Sequence, residues 1–80
     1  MEDLKKTEII AIVKAAMKSN YGFAPTTEEI NLEMWNGSGT YIKFEVNGVG
    51  YLFTSDYRNG EENGVWTGKG TVEKSEYNLR

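Results

Sequence analysis

The reactive side chains of this 80-residue chain are carboxylates, amines, hydroxyls and phenols; it contains neither cysteine nor histidine. Without cysteine there are no disulfides, thiolate zinc sites or cysteine nucleophiles. Without histidine the commonest general base and the commonest transition-metal ligand are gone. Most hydrolase triads and most zinc enzymes are thereby excluded. Any catalysis would have to use Asp, Glu, Lys, Tyr, Ser or Thr, and no spacing assembles them. The expectation is therefore no enzyme, no metal and no cofactor.

The acids come closest to a site. Glu28 with Glu29 and Glu61 with Glu62 are adjacent carboxylates. Neighbours on an extended chain point to opposite faces, so neither pair alone shares a proton or clamps a metal. Surface solvation explains them. Asp56, Asn59, Glu61 and Glu62 gather oxygens in one stretch, as a weak Ca²⁺ loop would. The EF-hand spacing is absent, because Arg58 stands at the second ligand position.

Thr67-Gly68-Lys69-Gly70-Thr71 looks superficially like a phosphate loop. A true one needs G-x-x-x-x-G-K-[ST] between a strand and a helix, and here a glycine follows the lysine in strand context. The glycines read better as room for aromatic neighbours or a bulge. Trp35, Tyr41 and Lys43 form the last cluster. Bases stack on such platforms, but Glu33 and Glu45 flank Lys43, and only Arg58 and Lys69 could join it. A groove that tracks a nucleic-acid backbone needs more positive charge.

Net charge is −3, unevenly spread. Residues 1–20 carry Lys5, Lys6, Lys14 and Lys18 against Glu2, Asp3 and Glu8, whereas residues 21–80 carry five bases and nine acids. A dedicated nucleic-acid binder usually concentrates its basic residues on one face. The apolar run Ile9 to Met17 is short, is broken by Lys14, and follows acids where a signal peptide has bases. No run approaches the length of a membrane span. These features predict a soluble, cytoplasmic protein.

The elements that must position these residues follow from periodicity. Asp3 is the expected N-cap of a helix over about 4–20. Ile9, Ile10, Ile12, Val13, Ala16 and Met17 fall on one arc, Thr7, Lys14 and Lys18 fall opposite, and Ala11 and Ala15 line the flank. Asn20 and Gly22 close the helix. Four Asn-Gly pairs, beginning at 36, 47, 59 and 63, are strong hairpin signals. The first three recur at the rhythm of an up-and-down antiparallel sheet.

Residues 27–36 carry two signals. Thr26 with Glu29 is a capping-box pattern that would start a short helix, while Ile30, Leu32 and Met34 alternate as a strand does. A three-residue turn at 37–39 sets Ile30, Leu32 and Met34 opposite Val46, Phe44 and Ile42. It also sets Trp35 opposite Tyr41 and Glu33 opposite Lys43, satisfying both faces. The strand reading prevails.

A two-residue turn at Asn47-Gly48 then pairs Val46 with Val49, Phe44 with Tyr51 and Ile42 with Phe53. A fourth strand, about 65–74, is expected to set Trp66, Gly68, Gly70 and Val72 opposite Tyr57, Ser55, Phe53 and Tyr51, aromatics filling the space over glycines. Residues 75–80 are expected to fray.

The sequence thus predicts one α+β domain over 1–80: an N-terminal helix on one face of a four-stranded antiparallel β-meander, order 1-2-3-4. Its size is close to the limit for a single core, so stability is on the order of 5 kcal/mol. If the helix covers one side, Trp35, Tyr41 and Leu52 stay exposed on the other, and Trp and Tyr are favoured interface anchors. The expected function is a non-enzymatic inhibitor or adaptor, of the type of phage or mobile-element accessory proteins. It would bind a macromolecular partner, expected to be protein, through Trp35, Tyr41, Lys43 and Leu52 with the acidic loop residues Asp56, Glu61 and Glu62. The alternative is a nucleic-acid-binding module using the helix lysines or the aromatic platform. A homodimer through an edge strand or the same face is a further option, and no membrane association is expected.

Overall fold

The computed structural model describes residues 3–75. Helix α1 spans Lys6–Tyr21 and buries Ile9, Ile12, Val13, Ala16 and Met17 completely. Its start differs from the Asp3 cap. Lys5 is the extended residue before the first turn, and its N–H donates to Glu8 Oε1 at 2.7 Å. That reciprocal bond satisfies one half of a capping box. Asp3 instead lies against Gly37, and the Leu4 N–H donates to the Gly37 carbonyl at 2.9 Å, tying the entry of the helix to the first hairpin. Gly22 ends α1 in the left-handed conformation, donating to the Lys18 carbonyl at 3.0 Å.

Both signals in residues 27–36 are real. A single 3-10 turn covers Thr27–Glu29, and strand β1 follows at Ile30–Trp35. The Thr26 N–H donates to Glu29 Oε1 at 2.9 Å, and Asn47 Nδ2 reaches Glu29 Oε2 at 3.4 Å. The backbone bond from Thr26, and then the Asn47 amide, hold the Glu29 carboxyl below its ordinary value, because both favour the ionised form.

Strands β2 (Tyr41–Val46) and β3 (Val49–Thr54) form the second hairpin with the expected pairs Val46–Val49, Phe44–Tyr51 and Ile42–Phe53. Asn47 and Gly48 have φ of 52° and 85°, the geometry that a two-residue turn between twisted strands requires. Next come two short strands, β4 (Glu61–Glu62) and β5 (Val65–Trp66), paired with each other as a separate sheet. Strand β6 (Thr71–Lys74) completes the main sheet, whose order is β1-β2-β3-β6. The fold is α+β: one N-terminal helix on a four-stranded antiparallel sheet, meander-like apart from the inserted β4–β5 hairpin.

The fourth main strand therefore differs from the continuous one expected over 65–74. Val72 pairs with Phe53 rather than Tyr51, and Trp66 belongs to the small hairpin. The displacement is two residues, which keeps Val72 on the helix side. Gly68, at φ 54°, interrupts the extended chain where it crosses α1: a Cβ there would lie 2.6 Å from the Ala16 backbone nitrogen. Gly70 does abut the Phe53 ring, as expected, but Gly68 faces the helix backbone and not Ser55. The expected fraying of 75–80 falls, from Glu76 onward, outside the described residues; Ser75 extends the ladder by donating to the Gly50 carbonyl at 2.8 Å.

The core lies between α1 and the inner face of the sheet. Ile42, Phe44 and Phe53 are fully enclosed there with the five helix residues, and Ile30, Val46, Tyr51 and Val72 complete it. Phe44 stacks on Tyr51 with centroids 5.5 Å apart, and Tyr21 meets Tyr51 edge-on at 5.6 Å. The last turn of α1 also closes the β6 edge. The Val72 N–H donates to Asn20 Oδ1, Tyr21 Oη donates to the Val72 carbonyl, and Asn20 Nδ2 donates to the Gly70 carbonyl. A free strand edge invites pairing with another chain, and here side chains occupy it.

Two measurements check these contacts. Gly68→Ala must push the connector off α1 and is expected to lower stability by about 2–3 kcal/mol. Gly48→Ala has open space and only the left-handed φ to bear, so about 1–2 kcal/mol is expected; equal urea midpoints for the two would refute the close approach. For Glu29 the folded pKa is depressed, so its stabilisation is complete above the unfolded value and is lost as pH falls through the folded one. In an NMR titration the wild-type Glu29 carboxyl should titrate below its ordinary value, and Asn47→Ala should raise its midpoint.

Candidate functional site

The uncovered face of the main sheet holds three of the four expected sheet contacts, Tyr41, Lys43 and Leu52, with one exchange that originates in the first turn. Asn36 organises that turn. Its Oδ1 accepts from the Thr40 and Tyr41 N–H groups at 3.0 and 3.2 Å, its own N–H donates to the Tyr41 carbonyl, and its carbonyl accepts from Gly39. Asn36 therefore stands opposite Tyr41, which makes the loop residues 37–40 and not 37–39. Further from the turn, Ile30, Asn31 and Leu32 pair with Val46, Glu45 and Phe44 as expected. The loop is one residue longer than that register allows. The excess is absorbed as a bulge between Leu32 and Met34, at Glu33.

Past the bulge the alternation inverts. Met34 pairs with Lys43 and not with Ile42, and Trp35 pairs with Ile42 and not with Tyr41. The expected Glu33–Lys43 charge pair is not formed as a directly opposed pair. Because paired residues share a side, Trp35 belongs to the helix side at the margin of the sheet, where it is 37% exposed. Met34 takes the outer position and is 58% exposed.

The outer face can now be read in rows. Met34, Lys43, Leu52 and Glu73 run side by side across all four main strands. Tyr41, Thr54 and Thr71 form the row nearer the first turn, and Asn31, Glu45 and Gly50 the row on the other side. Lys43 and Leu52 are half-buried between their neighbours, and Tyr41 is exposed. The face thus presents thioether, phenol and leucine surface with one ammonium and the carboxylates of Glu45 and Glu73. The indole–phenol platform considered for nucleobase stacking is divided, since Trp35 and Tyr41 lie on opposite sides.

The acidic loop is likewise divided from this face. Asp56 is exposed in the bend after β3. Glu61 and Glu62 are exposed on the β4–β5 hairpin, whose Trp66 packs against the core from the helix side. Lys69 Nζ stands 3.8 Å from Glu62 Oε1, both well solvated. Among the described residues no three acids converge as metal ligands. Beside the hairpin, Ala11, Ala15, Val65 and Trp66 floor an open groove with Lys14 and Lys18 at its rim.

Asn59 is the residue that sequence reasoning misplaced. With Gly60 it reads in the sequence as a hairpin turn, yet its side chain is enclosed, only 2% exposed. Its Nδ2 donates to the Gly39 carbonyl at 2.8 Å, and its Oδ1 accepts from Thr67 Oγ1 at 2.8 Å and the Lys69 N–H at 3.1 Å. One amide thus joins the first turn to the connector between β5 and β6. With its oxygen so engaged, it is no calcium ligand. The Thr67–Thr71 run is used for the same joint, with its threonine hydroxyl and lysine N–H turned to Asn59. A signal did exist. Asn59-Gly60 and Asn63-Gly64 lie too close together to be two separate hairpin turns.

Comparison with protein-family models, with characterised proteins and with solved structures finds no match to this chain. Among the described residues no helix is long and apolar enough to cross a membrane.

Asn59→Ala should leave the enclosed Gly39 carbonyl unpaired and remove the acceptor of the half-buried Lys69 N–H. A loss of about 2–3 kcal/mol in urea unfolding is expected; a change near zero would mean that water replaces the amide at no cost.

Proposed function

We propose that this chain is a non-enzymatic interaction protein, of inhibitor or adaptor type, that binds a protein partner with the outer face of its main sheet. The observation that supports this reading is the Met34–Lys43–Leu52–Glu73 row with Tyr41 beside it, which no described element covers. A methionine 58% exposed at the centre of a sheet margin leaves apolar area that solvent does not favour. Tyr and Met are enriched where proteins meet, because they bury large area and adapt to a partner's shape. Glu45 and Glu73 border the apolar patch, and the chain as a whole is acidic. A fitting partner surface is apolar at its centre and basic around it.

The set of contact residues proposed here is Met34, Tyr41, Lys43 and Leu52. Trp35, at the Ile42 position, is left out, as are Glu61 and Glu62 on the other layer. Asp56 is solvated beyond the end of β3 and could extend the acidic border. Charge contributes mostly to encounter rate and specificity in such contacts.

The test is recovery of partners from the native host by wild type and by a Met34→Ala/Tyr41→Ala double variant with an unchanged circular dichroism spectrum. A partner retained by wild type and depleted at least about tenfold by the variant is expected, as two interface anchors at about 1 kcal/mol or more each imply. Retention should also weaken as salt rises through the Debye range. Equal recovery by both proteins would remove the face.

A further inference from the structure

The two edges of the main sheet are treated differently by the chain. The Ser75 N–H donates to the Gly50 carbonyl, so Gly50, Leu52 and Thr54 turn their backbone groups toward β6. Alternation then sends Val49, Tyr51 and Phe53 toward β2, and turns Tyr41, Lys43 and Glu45 toward β1. The Asn36 N–H bond to the Tyr41 carbonyl agrees with that phase. At the β6 edge the outward residues are Val72 and Lys74, and both the N–H and the carbonyl of Val72, at the middle of the strand, are taken by Asn20 and Tyr21.

At the β1 edge the outward residues are Ile30 and Leu32 and, past the bulge, Trp35. The Ile30 N–H is used by the 3-10 turn, donating to the Thr27 carbonyl. By the same alternation the Ile30 carbonyl and both backbone groups of Leu32 point away from β2. A strand edge that is guarded at one end of a sheet and open at the other offers main-chain bonds to an extended segment.

We infer that the β1 edge accepts an extended segment of a partner protein as a fifth strand, paired at Leu32. The proposal deepens the reading of the chain as an interaction protein and rests on it for the class of partner, but it uses the edge and not the outer face. The segment's chemistry follows from its neighbours. Alternate side chains would lie beside Asn31 and Glu33 and near Glu45, where lysine or arginine is favoured. The intervening ones would lie beside half-buried Leu32, where valine or isoleucine would cover apolar surface.

A second copy of this chain fits less well. Antiparallel self-pairing centred on Asn31 sets Glu33 opposite Glu29 of the other copy, like charge on like. Centring on Leu32 sets Ile30 opposite Met34, whose backbone the bulge has turned inward to Lys43. Neither register gives a run of pairs.

The probe is a fluorescently labelled hexapeptide of alternating valine and lysine, with a second peptide N-methylated at each valine. Amide exchange is followed by NMR on the uniformly labelled protein. Without peptide the Leu32 amide should exchange near the open-chain rate while the Val72 amide is protected. With saturating unmodified peptide the Leu32 amide should slow by about tenfold or more, and the N-methylated peptide should produce no slowing. Three results would each overturn the proposal: no slowing at millimolar peptide, slowing by both peptides alike, or a Leu32 amide already protected in a concentration-dependent way without peptide, which would be self-pairing. The Met34→Ala/Tyr41→Ala variant keeps the two readings apart. It should slow at Leu32 as wild type does, so loss of the edge result leaves the face standing and the reverse.

Discussion

One dry interface carries this molecule. Five side chains from a single helix and the inner-face residues of four strands enclose one another, and Ile42, Phe44 and Phe53 have no exposure at all. A chain of this length buries only about three-fifths of its unfolded surface, so there is apolar material for one such layer. Every other feature is arranged around that limit. The second face of the sheet must be wet, and both edges must be either guarded or usable. The loop after β3 has no core of its own and is held by a single buried amide and one tryptophan.

The architecture was readable because helix and strand periods are far apart. The 3.6-residue arc from Ile9 to Met17 and the two-residue alternation in Ile42-Phe44-Val46 leave little ambiguity, and Asn47-Gly48 fixed the central register without any tertiary information. What misled was treating all four Asn-Gly pairs alike. At Asn47 and Asn63 both residues take positive φ and turn the chain. At Asn36 the side chain joins the backbone in holding a longer turn, and at Asn59 the amide serves three distant groups. The dipeptide announces a capacity for tight geometry; the surrounding polar demand decides how it is spent.

The bulge at Glu33 has a similar origin. Local pairing rules set the phase of Ile30 to Leu32, and the Asn36 hydrogen bonds set the phase of the turn. Each is satisfied, and the single residue between the two phases is extruded. A single phase along the whole strand predicts Trp35 outward and Met34 inward, the reverse of the sides they take. That exchange changes the candidate contact surface more than the fold, replacing a rigid indole with a flexible thioether. Tyr41, Lys43 and Leu52, which lie on strands whose phase was never in question, kept their places.

The bond from Val72 to Asn20 spans 52 positions of sequence. In chain order the helix and the first three main strands all precede β6, the strand that receives it. Without β6, β3 would be the bare margin of a three-stranded layer, and Phe53 would lack Val72 beside it. The helix terminus that later seals the margin is already waiting, so the final strand closes the molecule by docking onto groups made first. Closing the sheet and capturing the helix terminus are thus the work of one strand.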